Sequence, residues 1–159
     1  NGDCEINSLF IPKGKQHIDI STMVHHKNPL CSSRQLVKGI LGGNSTAVFR
    51  GLANVYKEAG KTDAQQNNKN LILSPNARVN SIPQLEIYED DVKCSHGSTT
   101  GQIEEEALFY LQSRGINRTD AMELMVRGFA NEVVDKVENQ DMKKYIQNSL
   151  IQKMEGMIQ

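Results

Sequence analysis

The stretch that decides the fold covers residues 83–116 and reads PQLEIYEDDVKCSHGSTTGQIEEEALFYLQSRGI. Polar and apolar side chains alternate over residues 84–88, a pattern that predicts a β-strand with one apolar face. Residues 103–113 instead place apolar side chains at helical spacing, and Gly115 follows as a C-terminal stop signal. The pattern therefore changes from strand to helix within this stretch, which predicts a boundary near residue 101.

The residues before this boundary have the composition of strands and turns. All four prolines and nine of the twelve glycines lie in residues 1–101, whereas five of the six methionines follow them. Residues 17–24 alternate, and the continuous apolar run at residues 71–73 predicts a strand buried on both faces. Turn sequences occupy residues 41–44 and 74–77. The first part of the chain is therefore predicted to be all-β.

A polar tract, QQNNKN, occupies residues 65–70. We interpret it as a solvated loop, with a compositional bias of the source genome as the alternative. Residues 1–101 show no repeat of fixed length, and the hexapeptide signature of left-handed solenoids is absent. The pattern alone therefore leaves a sandwich, a barrel and a solenoid open.

Residues 102–159 have the periodicity of three amphipathic helices. The first predicted helix has an apolar side made of Ile103, Ala107, Tyr110 and Leu111. The second begins near Asn117 or Thr119, both favourable N-caps, and Gly128 inside it predicts close packing at that point. Its apolar stripe consists of Met122, Met125, Val126, Phe129, Val133 and Val137. The third covers residues 140–158, and its stripe consists of Met142, Ile146, Leu150, Met154 and Met157.

These apolar stripes need a surface to cover. Packing against each other and against the β part is the first interpretation. The second is that the adaptable methionine surface docks a partner protein. The candidate contacts for such a partner are Met122, Met125, Phe129, Met142 and Ile146.

Composition excludes several classes of function. The formal net charge is -1, from 18 basic and 19 acidic residues, so no electrostatic footprint for nucleic acid exists. Mean hydropathy is -0.50, and no apolar run reaches the roughly 18–20 residues of a membrane span. No phosphate-binding GxxxxGK[ST] motif occurs, so any ATP hydrolysis would belong to a partner. The chain starts without Met, and we expect it to be a piece of a longer protein.

The three cysteines, Cys4, Cys31 and Cys94, are odd in number and form no CxxC pair. A disulfide framework or a zinc ribbon is therefore not predicted, and a reducing compartment is favoured. His25 and His26 are adjacent, so in a strand they face opposite ways and cannot chelate one ion together. With no set of three or four ligands at metal-site spacing, we expect no cofactor tightly bound by this chain alone.

One histidine has a more informative position. Val92, Cys94 and His96 share parity, so in a continuous strand they point to one face, which the first two suggest is interior. An imidazole there needs a hydrogen bond or a coordination partner. His96 is therefore a candidate iron ligand or proton shuttle, with a structural role as the alternative. Cys94 is a second candidate, although a buried cysteine more often behaves as a small apolar residue.

Three stretches together resemble the conserved C-terminal core of the SufB/SufD family of the SUF iron–sulfur cluster assembly system. They are MVHHKNPLCSSRQLVKGI at residues 23–40, KTDAQQNNKNLILS at residues 61–74, and the stretch quoted first. The resemblance runs from about residue 17 to residue 135. It is closer to SufD, because SufB sequences read His-Glu-Ala-Thr where this chain has His-Gly-Ser-Thr from His96, and carry Cys at the position of Asn68.

The resemblance implies a mainly β fold with α. Residues 1–101 would form the last rungs of a right-handed parallel β-helix, and residues 102–159 a helical domain on which the ATPase SufC docks. The chain would be a scaffold subunit and not an enzyme, paired with a SufB-like protein. A transient iron–sulfur cluster would form at that interface, near His96.

Two alternatives stay open. One is a SufB-like or homodimeric cluster scaffold, which would need a thiolate near Asn68. The other is a β-solenoid acyltransferase with His96 as its base, which would need hexapeptide rungs. The compartment is expected to be a bacterial cytoplasm or a plastid (apicoplast) stroma. We also expect the fragment to form a homodimer, or to cap its open end with residues 1–15.

Overall fold

The strands wind in parallel turns, and the helices follow them. The computed structural model describes residues 1–158. The strands within them are β1 (Gly2–Phe10), β2 (His17–His26), β3 (Cys31–Leu41), β4 (Thr46–Val55), β5 (Asp63–Ile72), β6 (Arg78–Ile87) and β7 (Lys93–Gly101). The helices are α1 (Glu105–Ser113), α2 (Arg118–Val134) and α3 (Gln140–Met154).

Consecutive strands alternate between two parallel sheets, ordered β1-β3-β5-β7 and β2-β4-β6. Each strand pairs in parallel with the strand about 30 residues later, as in the pairs Gly2 with Cys31 and Asp63 with Lys93. Parallel neighbours in a sheet need such a crossover connection, here supplied by the other sheet. The chain is therefore a parallel β-helix of about three turns followed by helices, which confirms the predicted fold class.

Burial follows the predicted alternation. Residues 17–24 lie in β2, where half-buried and exposed side chains alternate. In β6, Leu85 is half-buried while Glu86 is exposed. The apolar run at the end of β5 is covered on both sides as predicted, because Leu71 packs in a cluster with helical residues and Ile72 against the cluster inside the β-helix.

The polar tract at residues 65–70 is not a loop. It lies in β5, and Gln66, Asn68 and Asn70 are buried inside the β-helix while Gln65 and Asn67 are exposed. The interpretation as a solvated loop is therefore wrong. The Asn68 amide donates to the backbone oxygen of Val37 at 3.0 Å, and the Asn70 amide donates to Asn68 Oδ1 at 2.7 Å. Because these amides bond within the interior, their burial avoids the cost of unpaired polar groups.

The β-helix is open at both ends within residues 1–158. β1 and β2 are the outermost strands at one end, and β6 and β7 at the other. Residues 2–10 form β1 itself, in register with β3, so the expectation that residues 1–15 cap an open end is wrong. The expected homodimer stays a prediction.

The helices cover the outer face of the larger sheet. Ile40 and Leu71 from the strands join Val126, Leu150 and Met154 from the helices in one buried cluster. This confirms packing of the stripes of α2 and α3 against the β part. The strands end at Gly101 and α1 begins at Glu105, but the core is shared, so the division into two domains stays a prediction.

The helix boundaries and faces differ from the expectation at several points. Asn117 caps α2 as predicted, since its side chain accepts from the backbone N–H of Asp120 at 2.9 Å. In α1, Leu108 is buried and Tyr110 is exposed, so the stripe predicted through Tyr110 is wrong. The third helix ends at Met154, four residues earlier than predicted.

A buried lysine anchors α2 to the β-helix. Lys38, on the outer face of β3, is only 2% exposed. Its ammonium group donates to the backbone oxygen of Phe129 at 2.7 Å, lies 4.0 Å from the centre of the Phe129 ring, and pairs with Glu132. Lys69 from β5 binds the same carboxylate at 3.1 Å. The buried charge thus has an anionic partner, a carbonyl and an aromatic face, which offset its desolvation.

We predict that this anchor weakens in acid. The hydrogen bond from Lys38, with a further one from Lys69, holds the pKa of Glu132 below its ordinary value of 4.5, against the opposing effect of partial burial. A depressed carboxyl pKa stabilises the fold above pH 4.5, and this contribution is lost as the pH falls through the folded-state value. The free energy of unfolding of wild type should exceed that of Glu132→Gln at pH 7, and the gap should shrink towards pH 3. Urea titrations at each pH measure this difference in the free energy of unfolding, with Glu138→Gln as the exposed control. A difference that does not change with pH contradicts the prediction.

Two glycines give a second prediction. Gly128 in α2 is exposed and a Cβ there meets open space, so the expected close packing is wrong. Gly128→Ala should raise the free energy of unfolding by about 1 kcal/mol through helix propensity. Gly39→Ala should lower it by about 1–3 kcal/mol, because its Cβ would lie 2.6 Å from Asn70 Oδ1 and overlap the Phe10 ring. Equal effects of the two substitutions in urea unfolding would contradict this packing.

Candidate functional site

The candidate site lies at the β7 end, where one sheet extends beyond the other. The larger sheet has four strands and the smaller has three, so within residues 1–158 β7 has no strand of its own turn in the smaller sheet, and its contact across the interior is with β6, where the Ser98 hydroxyl donates to the Ser81 hydroxyl at 2.9 Å. The residues of β7 that continue the inward columns of β5 are Cys94, His96, Ser98 and Thr100. Their counterparts in β5 are buried, whereas His96, Ser98 and Thr100 are exposed. The last turn thus presents an inner face that the β-helix does not close.

His96 ends a column of polar side chains. Its register partner in β5 is Gln66, and the partner of Gln66 in β3 is Gln35. Both glutamines are 3% exposed. The predicted parity is therefore confirmed, since His96 faces inward with Cys94. The expected burial is wrong for His96, because its strand is the last and nothing in residues 1–158 lies above it.

The two buried glutamines differ in how their amides are satisfied. Gln35 Oε1 accepts from the Thr22 hydroxyl at 2.8 Å, while Gln35 Nε2 has no partner in the described part of the chain. Neither Nε2 nor Oε1 of Gln66 has a partner there. A buried polar group left unpaired costs about 1–3 kcal/mol. Sequence reasoning missed these residues, although the alternation of Gln66, Asn68 and Asn70 was a usable signal.

Cys94 has an environment that favours the thiol. It is half-buried above Ala64, and burial raises the pKa of its side chain, with Asp63 acting in the same direction and a backbone hydrogen bond at Ala64 opposing them. Thiolate ligands need an electropositive setting that lowers the pKa. The surroundings therefore support the reading of Cys94 as a small packing residue.

The adjacent histidines face opposite ways, as predicted. His26 is buried with Nε2 2.9 Å from the Ser33 hydroxyl, and burial lowers its pKa, whereas His25 is exposed beside Tyr56. Within residues 1–158, no group of three or more His, Cys, Asp or Glu side chains has a metal-binding arrangement. A metal or cluster at His96 would therefore need its other ligands from elsewhere.

The five predicted partner contacts differ in exposure, and their role as a dock stays a prediction. Met122, Met125 and Ile146 are half-buried, Phe129 lies under the Lys38 ammonium group, and Met142 is exposed. Other apolar residues are more exposed. On the helices they are Phe109, Tyr110, Leu124 and Tyr145, with Phe109 reaching 72%. The sequence pattern missed Tyr110 because it assigned this residue to the buried side of α1.

None of the helices in residues 1–158 combines the length and the apolar character that crossing a membrane requires.

The family model for the SufBD core domain of SUF system FeS cluster assembly matches residues 1–129. The iron-sulfur cluster assembly protein SufD of Escherichia coli (strain K12) is 43% identical over 156 residues, which cover 98% of this chain and 37% of that protein. The chloroplastic protein ABCI7 of Arabidopsis thaliana is 37% identical over 145 residues, covering 91% of this chain and 30% of that protein.

A more distant relative is the iron-sulfur cluster assembly protein SufD of Plasmodium falciparum (isolate 3D7). It is 30% identical over 148 residues, which cover 92% of this chain and 10% of that protein. The chain therefore spans little more than a third, or less, of the length of these curated relatives. With the family model matching most of the chain and SufD among its relatives, the chain belongs to the SufB/SufD family and is SufD-like.

Proposed function

We propose that this protein is a SufD-like, non-catalytic scaffold subunit of the SUF iron–sulfur cluster assembly complex. It would pair with a SufB-like protein and bind a SufC-like ATPase. The observation that carries the proposal is the exposed His96 on the inner face of the unclosed last turn, within the Lys-Cys-Ser-His-Gly sequence. Relatives named SufD support the assignment to cluster assembly.

The free edge of β7 supports pairing with another strand. Its backbone N–H and C=O groups on that edge are available, because the backbone of β7 pairs with β5 alone among the strands of residues 1–158. Lys93 is the one charged residue in this strand, which otherwise consists of Cys, His and small residues. An exposed edge of this kind favours strand addition by a partner. A SufB-like chain would continue the ladder here.

His96 would act at this junction on the nascent cluster, which is cargo and not a resident cofactor. A neutral imidazole offers one nitrogen to iron and can also transfer a proton near neutral pH. The described residues supply too few donors for a complete site. The partner would therefore provide the thiolate, and the cluster would form only where the two chains meet.

The helices are the proposed dock for the ATPase. They present exposed apolar residues on α1, α2 and α3, including Met142. The ion pair between Lys38 and Glu132 connects α2 to β3, so a force applied to the helices would reach the β-helix.

The alternatives have less support. A SufB-like scaffold would need a thiolate near Asn68, but Asn68 is buried and its amide is bonded to Val37. A solenoid acyltransferase is built from hexapeptide rungs, whereas these turns take about 30 residues. We propose either of the two expected compartments, a bacterial cytoplasm or a plastid stroma, because the relatives include bacterial and chloroplastic proteins.

We predict that His96→Ala leaves folding and SufC binding unchanged but abolishes cluster maturation with SufB and SufC. The exposed side chain contributes little to stability, whereas a lost donor at the junction cannot be replaced by alanine. Iron and sulfide analysis of the purified complex measures the outcome. Ser95→Ala, one residue away on the outer face, should mature clusters normally, and normal yield from His96→Ala would remove the role assigned to this residue.

A further prediction concerns the dock. Met142→Asp should weaken SufC binding by about tenfold or more, because a charge in an apolar contact costs at least about 1.4 kcal/mol. Met23→Asp is the matched control, since Met23 is also exposed but lies on β2 and not on a helix. Binding titrations compare the two, and equal affinities would show that SufC does not contact α3 at this position.

A further inference from the structure

Gln66 is a buried polar side chain in an unusual environment. It lies one turn below His96 in the same inward column, is 3% exposed, and has no partner for either polar atom of its amide within the described residues. Its neighbours in the same strand, Asn68 and Asn70, bond to each other. In the column beneath His96, Gln66 thus leaves both polar atoms unpaired among the described residues, whereas Gln35 leaves only Nε2 unpaired.

Space for this amide is made by Gly51. A Cβ at Gly51, on β4 across the interior, would overlap Gln66 Nε2 and lie 2.8 Å from Gln66 Cδ, and it would also lie 2.7 Å from the Phe49 ring. No positive φ requires glycine at this position, so the space itself is the reason for it. Two positions on different strands thus combine to hold a polar group where an apolar side chain would pack without penalty.

The imidazole of His96, one turn above Gln66, can supply the hydrogen-bond partners that the Gln66 amide lacks. A neutral imidazole has one donor and one acceptor nitrogen, and an amide has an acceptor oxygen and a donor nitrogen, so the two groups are complementary. Neighbouring strands lie about 4.8 Å apart, which side chains of this length bridge directly or through one water molecule. A hydrogen bond to one ring nitrogen fixes which nitrogen carries the proton and where the other one points.

We propose that Gln66 is a positioning residue for His96, whose amide orients the imidazole and selects its tautomer so that one ring nitrogen faces the open end. This inference rests on the function proposed for His96 at the junction. Gln66 itself would touch neither cluster nor partner. Gln35, one turn further down the column, would not take part.

The test compares Gln66→Met with Gln35→Met. Methionine keeps the length of glutamine without its amide, so both substitutions preserve the packing volume. Nitrogen-15 spectra of the histidine-labelled protein, recorded where the imidazole is neutral, report the tautomer ratio of His96. Gln66→Met should shift that ratio by about threefold or more, the effect of losing one modest hydrogen bond, and Gln35→Met should leave it unchanged.

Thermal unfolding and cluster maturation are measured on the same variants. Gln66→Met should unfold close to wild type, since the amide has no partner inside the β-helix and the bond to the exposed imidazole competes with water, yet should mature clusters more slowly. If this variant does not fold, Gln66→Leu takes its place in the same comparison. An unchanged tautomer ratio in a folded Gln66 variant overturns the proposal, as does an equal shift in Gln35→Met.

The outcomes also separate this inference from the function on which it rests. If His96→Ala matures clusters normally while the Gln66 variant shifts the tautomer, the proposed role of His96 fails and the positioning contact stands. If His96→Ala abolishes maturation while the tautomer is insensitive to Gln66, the role of His96 stands and Gln66 is not its positioning residue.

Discussion

The structure depends on the unbroken parallel register of its backbone ladder. From β1 to β7 each strand pairs residue by residue with the strand one turn later, so side chains a turn apart stack directly. This places Gln35, Gln66 and His96 in one column, although about 30 residues separate each from the next. A slip of one residue in β7 would turn His96 to the outer face and remove the site.

The same ladder connects the site to the helices. β5 carries Gln66 on its inner face and Lys69 on its outer face, where Lys69 shares the Glu132 carboxylate with Lys38. The strand directly beneath His96 is therefore also a strand to which α2 is attached. A displacement of α2 would act on both β3 and β5. Because β5 is hydrogen-bonded to β7, the displacement would also reach β7. This gives the proposed ATPase dock a short physical route to the junction.

The periodicity of the sequence predicted the strands and helices, whereas contacts between elements decided which side chains are buried. Alternation identified β2 and β6, and helical spacing identified α2, because each pattern reflects a single element. The polar tract in β5 was misread because the acceptor of the Asn68 amide is the backbone oxygen of Val37, which only the register of β3 and β5 brings beside it. In α1 the run Leu-Phe-Tyr-Leu fits more than one apolar face, and packing selects Leu108 over Tyr110. The parity of His96 was visible in the sequence, but the importance of Gln66 arises from a neighbour one turn away.

An exposed imidazole above a buried, unpaired amide is an incomplete site by physical criteria. In water the imidazole hydrogen-bonds to solvent, and a contact with Gln66 competes with it. A partner strand added to the free edge of β7 would exclude that water and lower the local dielectric, which strengthens the hydrogen bond between amide and imidazole. Pairing of the two chains would then supply the missing ligands and order His96 in one step, so that the site reaches its working geometry only in the complex.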